Sequence, residues 1–499
     1  MKILLDITVT VYFMITIQRK NKVFKVSILT ERKIIMSMIT HNPLSYHHSM
    51  WSLLKFAAPS IGMMIVISLY TVTDGVFIGR YVGSDALAAS NIVYPAFNLV
   101  LGLAIMLSAG GSALVARTLG EGNSELAGRR FTLITGSAVV LSLLLAFFLW
   151  LFMEPLLSFL GATPALHEAC ASYISVLLPF FPAAALMMVF NALFIADGRP
   201  MQGFLVSVVS GLLNAGLDYL FMAELGWGIV GAALGTGLGE TAAAFIGIYY
   251  FSRCSLLIRF RKPVMEWRAL GQAVYNGSSE LVTELSMGVT TLLFNIITLA
   301  WAGEVGVAAI SVILYVEMLL TSILVGFSEG IAPIFSYQFG AKNYRELMRL
   351  MRLALLTIGI FSLVSFAGSR VLAEPLISLF LPAGSHAHEL TVNGFWLFGF
   401  SFLLSGFNIF ASGFFTAISD GRTSAIASFA RNFAGIVIFL LVLPKLIGFS
   451  GVWLAVPAAD LAAVMLSAFL LYEQRNSFAA LRLERCHKKY GRLSQAVAK

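Results

Sequence analysis

Long apolar stretches, each closed off by a short polar or charged segment, follow one another from residue 56 to residue 473 of this chain. A window of about 19 residues, the length of helix that crosses ~30 Å of hydrocarbon, resolves twelve of them. They cover 56–79, 87–116, 131–153, 170–196, 203–224, 228–252, 273–301, 307–337, 353–379, 391–417, 424–447 and 450–473. The pattern predicts an all-α polytopic membrane protein with twelve transmembrane helices, both termini on one side.

Composition removes the alternative of a water-soluble fold. Of 499 residues 59% are hydrophobic and 12% charged, about half the charged share of an ordinary soluble domain. The 43 glycines and 40 phenylalanines suit close helix contacts and lipid-facing surface. The three cysteines, Cys170, Cys254 and Cys486, are too few and scattered for a disulfide framework or thiolate metal site.

The net charge of +8 is not gathered into a stripe for nucleic acid; it sits in short segments between apolar runs. Short loops rich in Lys and Arg stay cytoplasmic. With the N-terminus inside, 29 of the 33 basic residues are cytoplasmic, Arg80, Arg370 and Lys445 lie in outer loops, and Arg431 lies within a span. Both termini are therefore expected in the cytoplasm. Residues 1–50 read as an N-terminal extension that need not be native, with Met36 and Met38 as alternative starts. The apolar run 4–17 carries Asp6 and is short for a span, and no small-residue cleavage site follows it.

The chain also repeats itself. At an offset of about 220, Val82-Gly83 falls on Ala302-Gly303, Leu119-Gly120 with Asn123 on Phe339-Gly340 with Asn343, Glu154-Pro155-Leu156 on Glu374-Pro375-Leu376, and Gly231 with Leu234 on Gly451 with Leu454. Asp197-Gly198-Arg199 matches Asp420-Gly421-Arg422 after a shift of three. Six spans per copy is an even number, so the copies are parallel repeats rather than inverted ones. The expected organisation is a first lobe over 51–252, a cytoplasmic connection over 253–272, a second lobe over 273–473 and a basic cytoplasmic tail over 474–499.

Carboxylates inside spans cost about 2.5–3.5 kcal/mol each on insertion scales and so ask for a reason. They are Asp74, Asp218, Glu240, Glu280, Glu284, Glu317, Glu329 and Asp460. Asp74 and Asp218 each stand six positions before the outer end of an outward-running span, roughly 9 Å below the surface. Tyr70 and Asn214 sit one turn before them, and Thr236 comes to a similar depth. Together they suggest an acidic chamber for a proton or a cationic substrate; the plainer reading is hydrogen bonding between helices. Glu280 and Glu284 are one turn apart near the inner end of the seventh span. They either face the cleft or reach interfacial water. Glu329 accompanies Gly326, Gly330 and Pro333 in a span expected to bend, and Arg431 is expected to pair with an acid or to snorkel.

Three stretches carry a family resemblance over most of 51–472. Leu69-Tyr70-Thr71-Val72-Thr73-Asp74-Gly75-Val76-Phe77-Ile78-Gly79-Arg80 resembles the first-helix signature of the multidrug and toxin extrusion (MATE) family. Leu213-Asn214-Ala215-Gly216-Leu217-Asp218-Tyr219-Leu220-Phe221 with Gly231-Ala232-Ala233-Leu234-Gly235-Thr236 resembles its fifth-to-sixth helix segment. Gly326-Phe327-Ser328-Glu329-Gly330-Ile331-Ala332-Pro333 resembles the eighth helix of its bacterial MepA-type branch. The resemblance implies two six-helix lobes about a central cavity in a bacterial cytoplasmic membrane. It implies efflux of amphipathic, often cationic compounds in exchange for H⁺ or Na⁺. Tyr70, Asp74, Asn214, Asp218 and Thr236 are the matching positions, with Na⁺ conceivable at Asp74 and Asp218; Asn191 and Glu284 are weaker matches. No cofactor, resident metal or nucleic acid is implied, and a monomer is expected to suffice.

A lipid-linked oligosaccharide flippase or a narrow-substrate metabolite exporter would share this architecture. The flippase should carry a basic cavity, whereas these spans are acidic. An enzyme is not expected: no HExxH or P-loop pattern occurs, the GxSxG match at Gly326-Phe327-Ser328-Glu329-Gly330 lies inside an apolar span rather than at a strand-to-helix turn, and all seven histidines fall outside the spans.

Overall fold

Side-chain oxygens set the beginnings of several helices. Ser49 accepts the Ser52 N–H, Asn123 the Leu126 N–H, and Asp420 the Thr423 N–H, each relieving a donor the first turn leaves unpaired. The structure, a computed structural model, describes residues 42–497 apart from 256, 264 and 379. The predicted extension therefore lies outside the described residues as far as residue 41. The chain forms two units, Met1–Tyr46 and His47–Lys499. Of the first, the described part is a short turn, Pro43–Ser45, capped by Asn42.

The second unit is a helical bundle, with no strand among the described residues. Its first lobe comprises α1 (Met50–Val82), α2 (Asp85–Gly120), α3 (Ser124–Leu151), α4 (His167–Ala196), α5 (Pro200–Glu224) and α6 (Gly228–Cys254). One continuous stretch, Trp267–Gly340, follows. At 74 residues it would run about 110 Å if straight, more than three times the hydrocarbon thickness. Gly303, at φ 63° and ψ −155°, breaks it. Such a backbone suits only a residue without Cβ, and it divides the stretch into α7 before the glycine and α8 after it. The rest are α9 (Tyr344–Ser378), α10 (His386–Leu403 with Ser405–Ala417, bent by 41°), α11 (Gly421–Ile447) and α12 (Ser450–Leu481).

These are the twelve spans expected; most of the helices run several residues past the predicted ends, and two of these extensions change the reading. Helix continues from α12 to Val497 through most of the stretch read as a tail, because it is rich in Glu, Arg, Leu and Ala and meets no proline. The seventh helix starts at Trp267 rather than 273, so Glu280 and Glu284 lie about 20 and 26 Å along it. They are nearer its middle than its inner end.

Backbone geometry repeats as the sequence does. Positive φ occurs at Gly83 and Gly303, Gly122 and Lys342, Gly161 and Gly384, Gly198 and Ser419, and Gly228 and Gly448. Every pair is 220 to 223 residues apart. Each lobe also has its own apolar core, one drawn from residues 78–233 and the other from 294–456.

Glycines bring the lobes together at the end that carries the basic segments. A Cβ on Gly110 would fall 1.9 Å from the Ala273 carbonyl oxygen, one on Gly277 1.9 Å from that of Met106, one on Gly120 2.0 Å from that of Tyr337, and one on Gly340 2.0 Å from that of Arg117. Gly326 likewise abuts the Ile61 backbone. All five glycines lie in the basic-end halves of α2, α7 and α8, so the lobes are closed against each other there.

Candidate functional site

Small residues on α6 let α5 come close, and this approach builds the site. Gly235 and Gly239 face Asp218 and Asn214; a Cβ on Gly235 would stand 2.0 Å from Asp218 Oδ1. Directly after Asp218, α5 turns π-helical over Tyr219–Glu224, a local widening common at functional positions.

Asp218 is fully buried, and neither of its carboxylate oxygens meets a donor at good hydrogen-bond geometry, although the Asn214 amide and the Asp74 carboxyl stand beside it. Asp74, on α1, is near enough for the two charges to interact, and its Oδ1 is likewise buried without a well-placed donor. Two ionised carboxylates cannot bond each other; a proton held between them, or a small cation, would satisfy both. Asn214 Nδ2 donates to Thr236 Oγ1 at 3.4 Å, and its Oδ1 is left free. Tyr70, Asn214 and Thr236 line one small cavity with Ser210, Gly211 and Glu240. The fold thus brings Tyr70, Asp74, Asn214, Asp218 and Thr236 together in one lobe.

Asn191 is buried in α4 with both amide atoms unpartnered. It stands one turn from Met187, whose sulfur lies 3.9 Å from Ser210 Oγ, so it sits inward of the cavity and bonds none of the five. Glu280, Glu284 and Glu329 form a separate group on α7 and α8, close enough for their charges to interact. Glu284 packs against Gly102 of α2, while Glu329 is solvent-accessible between buried neighbours.

The second lobe handles its acids differently. Arg431 Nε donates to Asp460 Oδ1 at 2.6 Å, Asn408 Nδ2 donates to the same oxygen at 3.2 Å, and Glu317 is within electrostatic reach. Glu240 was visible in sequence as one intramembrane acid among eight; what sequence reasoning missed is that it shares a cavity with Tyr70, Asn214 and Thr236. The signal available was its spacing, one helical turn after Thr236.

Outside the spans, Asp197 in the α4–α5 turn ties down the connection between the lobes. It accepts hydrogen bonds from Tyr250 Oη (2.8 Å), Ser255 Oγ (2.8 Å) and the Ile258 N–H (3.1 Å). Burial pushes its carboxyl up to about 6, against the opposing pull of those donors.

Among known families, the MatE model matches residues 59–220 and 281–441, one match in each lobe. A curated protein named multidrug export protein MepA, from Staphylococcus haemolyticus (strain JCSC1435), is 24% identical over 430 residues, covering 85% of this chain and 94% of its own. The solved structure of a MATE in complex with MaD3S superposes with a TM-score of 0.83 at 21% identity, covering 88% of this chain and 99% of that one. A transporter of the MOP superfamily from Pyrococcus furiosus Vc1 (DSM3638), described as having a binding pocket of reversed polarity, superposes with a TM-score of 0.80 at 22% identity, covering 88% and 99%.

Proposed function

This chain belongs to the MatE family, and from that premise we propose that it is a cation-coupled antiporter exporting amphipathic, often cationic compounds across a bacterial cytoplasmic membrane. The observation that carries the reading is Asp218: wholly buried, neither oxygen met by a donor at good geometry, beside Asp74. A buried charge without a partner is too costly to persist. A proton or Na⁺ is therefore the third participant, held by Asp74 and Asp218 with Asn214, Thr236 and Tyr70 around them.

In this reading the basic end faces the cytoplasm, the side on which short Lys- and Arg-rich loops are retained. Lobes closed at that end correspond to a state open to the outside, where the ion enters and cargo leaves. Loss of the ion to the cytoplasm resets the cavity for the next cargo. Glu280, Glu284 and Glu329 supply negative charge on the second-lobe side for a cationic cargo. One chain holds the complete set, so a monomer suffices. A flippase for a pyrophosphate-linked lipid is disfavoured, because the cation buried mid-span, Arg431, is already bound to Asp460.

The test is ethidium efflux from an exporter-deficient bacterial host, at equal membrane abundance of wild type, Asp74→Asn and Asp218→Asn. Wild type should extrude the dye and both variants should retain it at least about tenfold longer. Efflux by both variants at the wild-type rate rejects the coupling role. A wild type that inserts but extrudes no dye rejects multidrug export and leaves a narrower cargo.

A further inference from the structure

The two lobes place an acid at the same point of their last helix and treat it in opposite ways. Gly231 matches Gly451, and nine residues on from each stand Glu240 and Asp460. In the second lobe Asp460 is neutralised by a resident cation, Arg431, at 2.6 Å. The first lobe's counterpart of Arg431 follows from the paired positive-φ turns on either side of α5 and α11. Gly198 pairs with Ser419 and Gly228 with Gly448, offsets of 221 and 220. Arg431 thus stands opposite Ser210 and Gly211.

Both of those residues line the cavity that Glu240 faces. Where the second lobe has a guanidinium, the first has a hydroxymethyl, a glycine and a small space. Glu240 is 6% exposed, and among the described residues no basic side chain pairs with it. The ionisable groups whose charge reaches it are Asp74 of α1 and the phenols of Tyr70 on α1 and Tyr173 on α4; none carries positive charge. The Asn214 oxygen beside it is buried and unpartnered. Glu240 also lies 12 residues into α6, roughly 18 Å from its far-end start and so near mid-membrane.

We propose that Glu240, with Asn214 and Thr236, forms an inner subsite where a small monovalent cation, H⁺ or Na⁺, takes the place that Arg431 fills permanently in the second lobe. The subsite rests on the coupling role of Asp74 and Asp218 and extends it. The ion taken up at the outer acids is passed inward to mid-membrane before release to the cytoplasm. Because the second lobe carries its own fixed cation at this register, only the first lobe exchanges ions there.

The test uses the full-length protein in proteoliposomes, with ethidium transport driven by an imposed pH gradient or an imposed Na⁺ gradient; the gradient that drives wild type identifies the ion. Four variants are compared: Glu240→Gln, Glu240→Asp, Gly211→Arg and Asp74→Asn. Glu240→Gln should lose at least tenfold of gradient-driven transport while ethidium affinity, read by fluorescence in detergent, stays within twofold. Glu240→Asp should restore transport with a displaced dependence on pH or Na⁺. Gly211→Arg, which supplies the second lobe's cation, should abolish transport with thermal stability kept or raised. Wild-type transport and ion dependence in Glu240→Gln beside an inactive Asp74→Asn overturns the subsite and leaves the outer pair intact. Failure of Glu240→Asp to restore transport, with a lowered unfolding temperature, also overturns it, in favour of a packing role. An Asp74→Asn variant as active as wild type removes the coupling reading and the subsite with it.

Discussion

A single methyl group tests how Asp218 is held. Gly235 leaves the space into which Asp218 Oδ1 projects, and Gly235→Ala would set a carbon 2.0 Å from that oxygen. The carboxylate must then move by about 1 Å, a displacement that can cost on the order of a hundredfold in rate at a positioned site. Gly235→Ala is therefore expected to match Asp218→Asn in dye efflux at normal membrane abundance. Efflux within twofold of wild type would show that Asp218 is not held by this cradle. Ser419 gives the opposite expectation. It adopts φ 66°, where its counterpart in the first lobe is Gly198, and its hydroxyl is buried without a partner. Ser419→Gly should stabilise the protein by about 1 kcal/mol, seen as a higher unfolding temperature in detergent. The acids and their spacing were legible at this scale. Their partnerships were not, because Arg431 and Asp460 are 29 residues apart and meet only when α11 packs on α12.

At the scale of elements, the connection between the lobes is tied by Asp197, and the tie is sensitive to pH. The Asp197 carboxyl is raised from 3.8 to about 6 by burial. Its folded form thus holds a proton that the unfolded chain has already released between those two values, and this contribution to stability is lost as pH rises through about 6. Asp197→Asn cannot titrate there. The unfolding temperature of wild type relative to Asp197→Asn should fall between pH 4.5 and pH 7.5, as followed by thermal unfolding in detergent. A difference independent of pH would show that the carboxyl titrates near its ordinary value. Helix positions were readable because apolar length is dictated by the bilayer. Helix ends were not: α7 begins six residues early, since the polar turn before the membrane forms helix as readily as loop.

At the scale of the whole molecule, the closed basic end depends on glycines that admit a facing backbone. Gly277→Val would drive a side chain into the Met106 carbonyl oxygen, 1.9 Å from the position of the first added carbon. The lobes should then separate at that end. Transport should fall at least about tenfold, and spin labels at the basic ends of α2 and α7 should move apart by several Å. An unchanged label distance with normal transport would show that the closed arrangement is not on the working cycle. What the chain determined by itself is the number of spans, their division into two parallel copies and the positions of the acids. Hydrocarbon thickness and the cost of charge in lipid are written into composition and spacing, and a duplication survives as a constant offset. Only the packed structure decided which acids share a lobe, which acid has a resident cation and which faces a vacant cavity. Those outcomes depend on the approach of α5, α6, α11 and α12, helices distant in sequence whose side chains acquire neighbours only when the bundle closes.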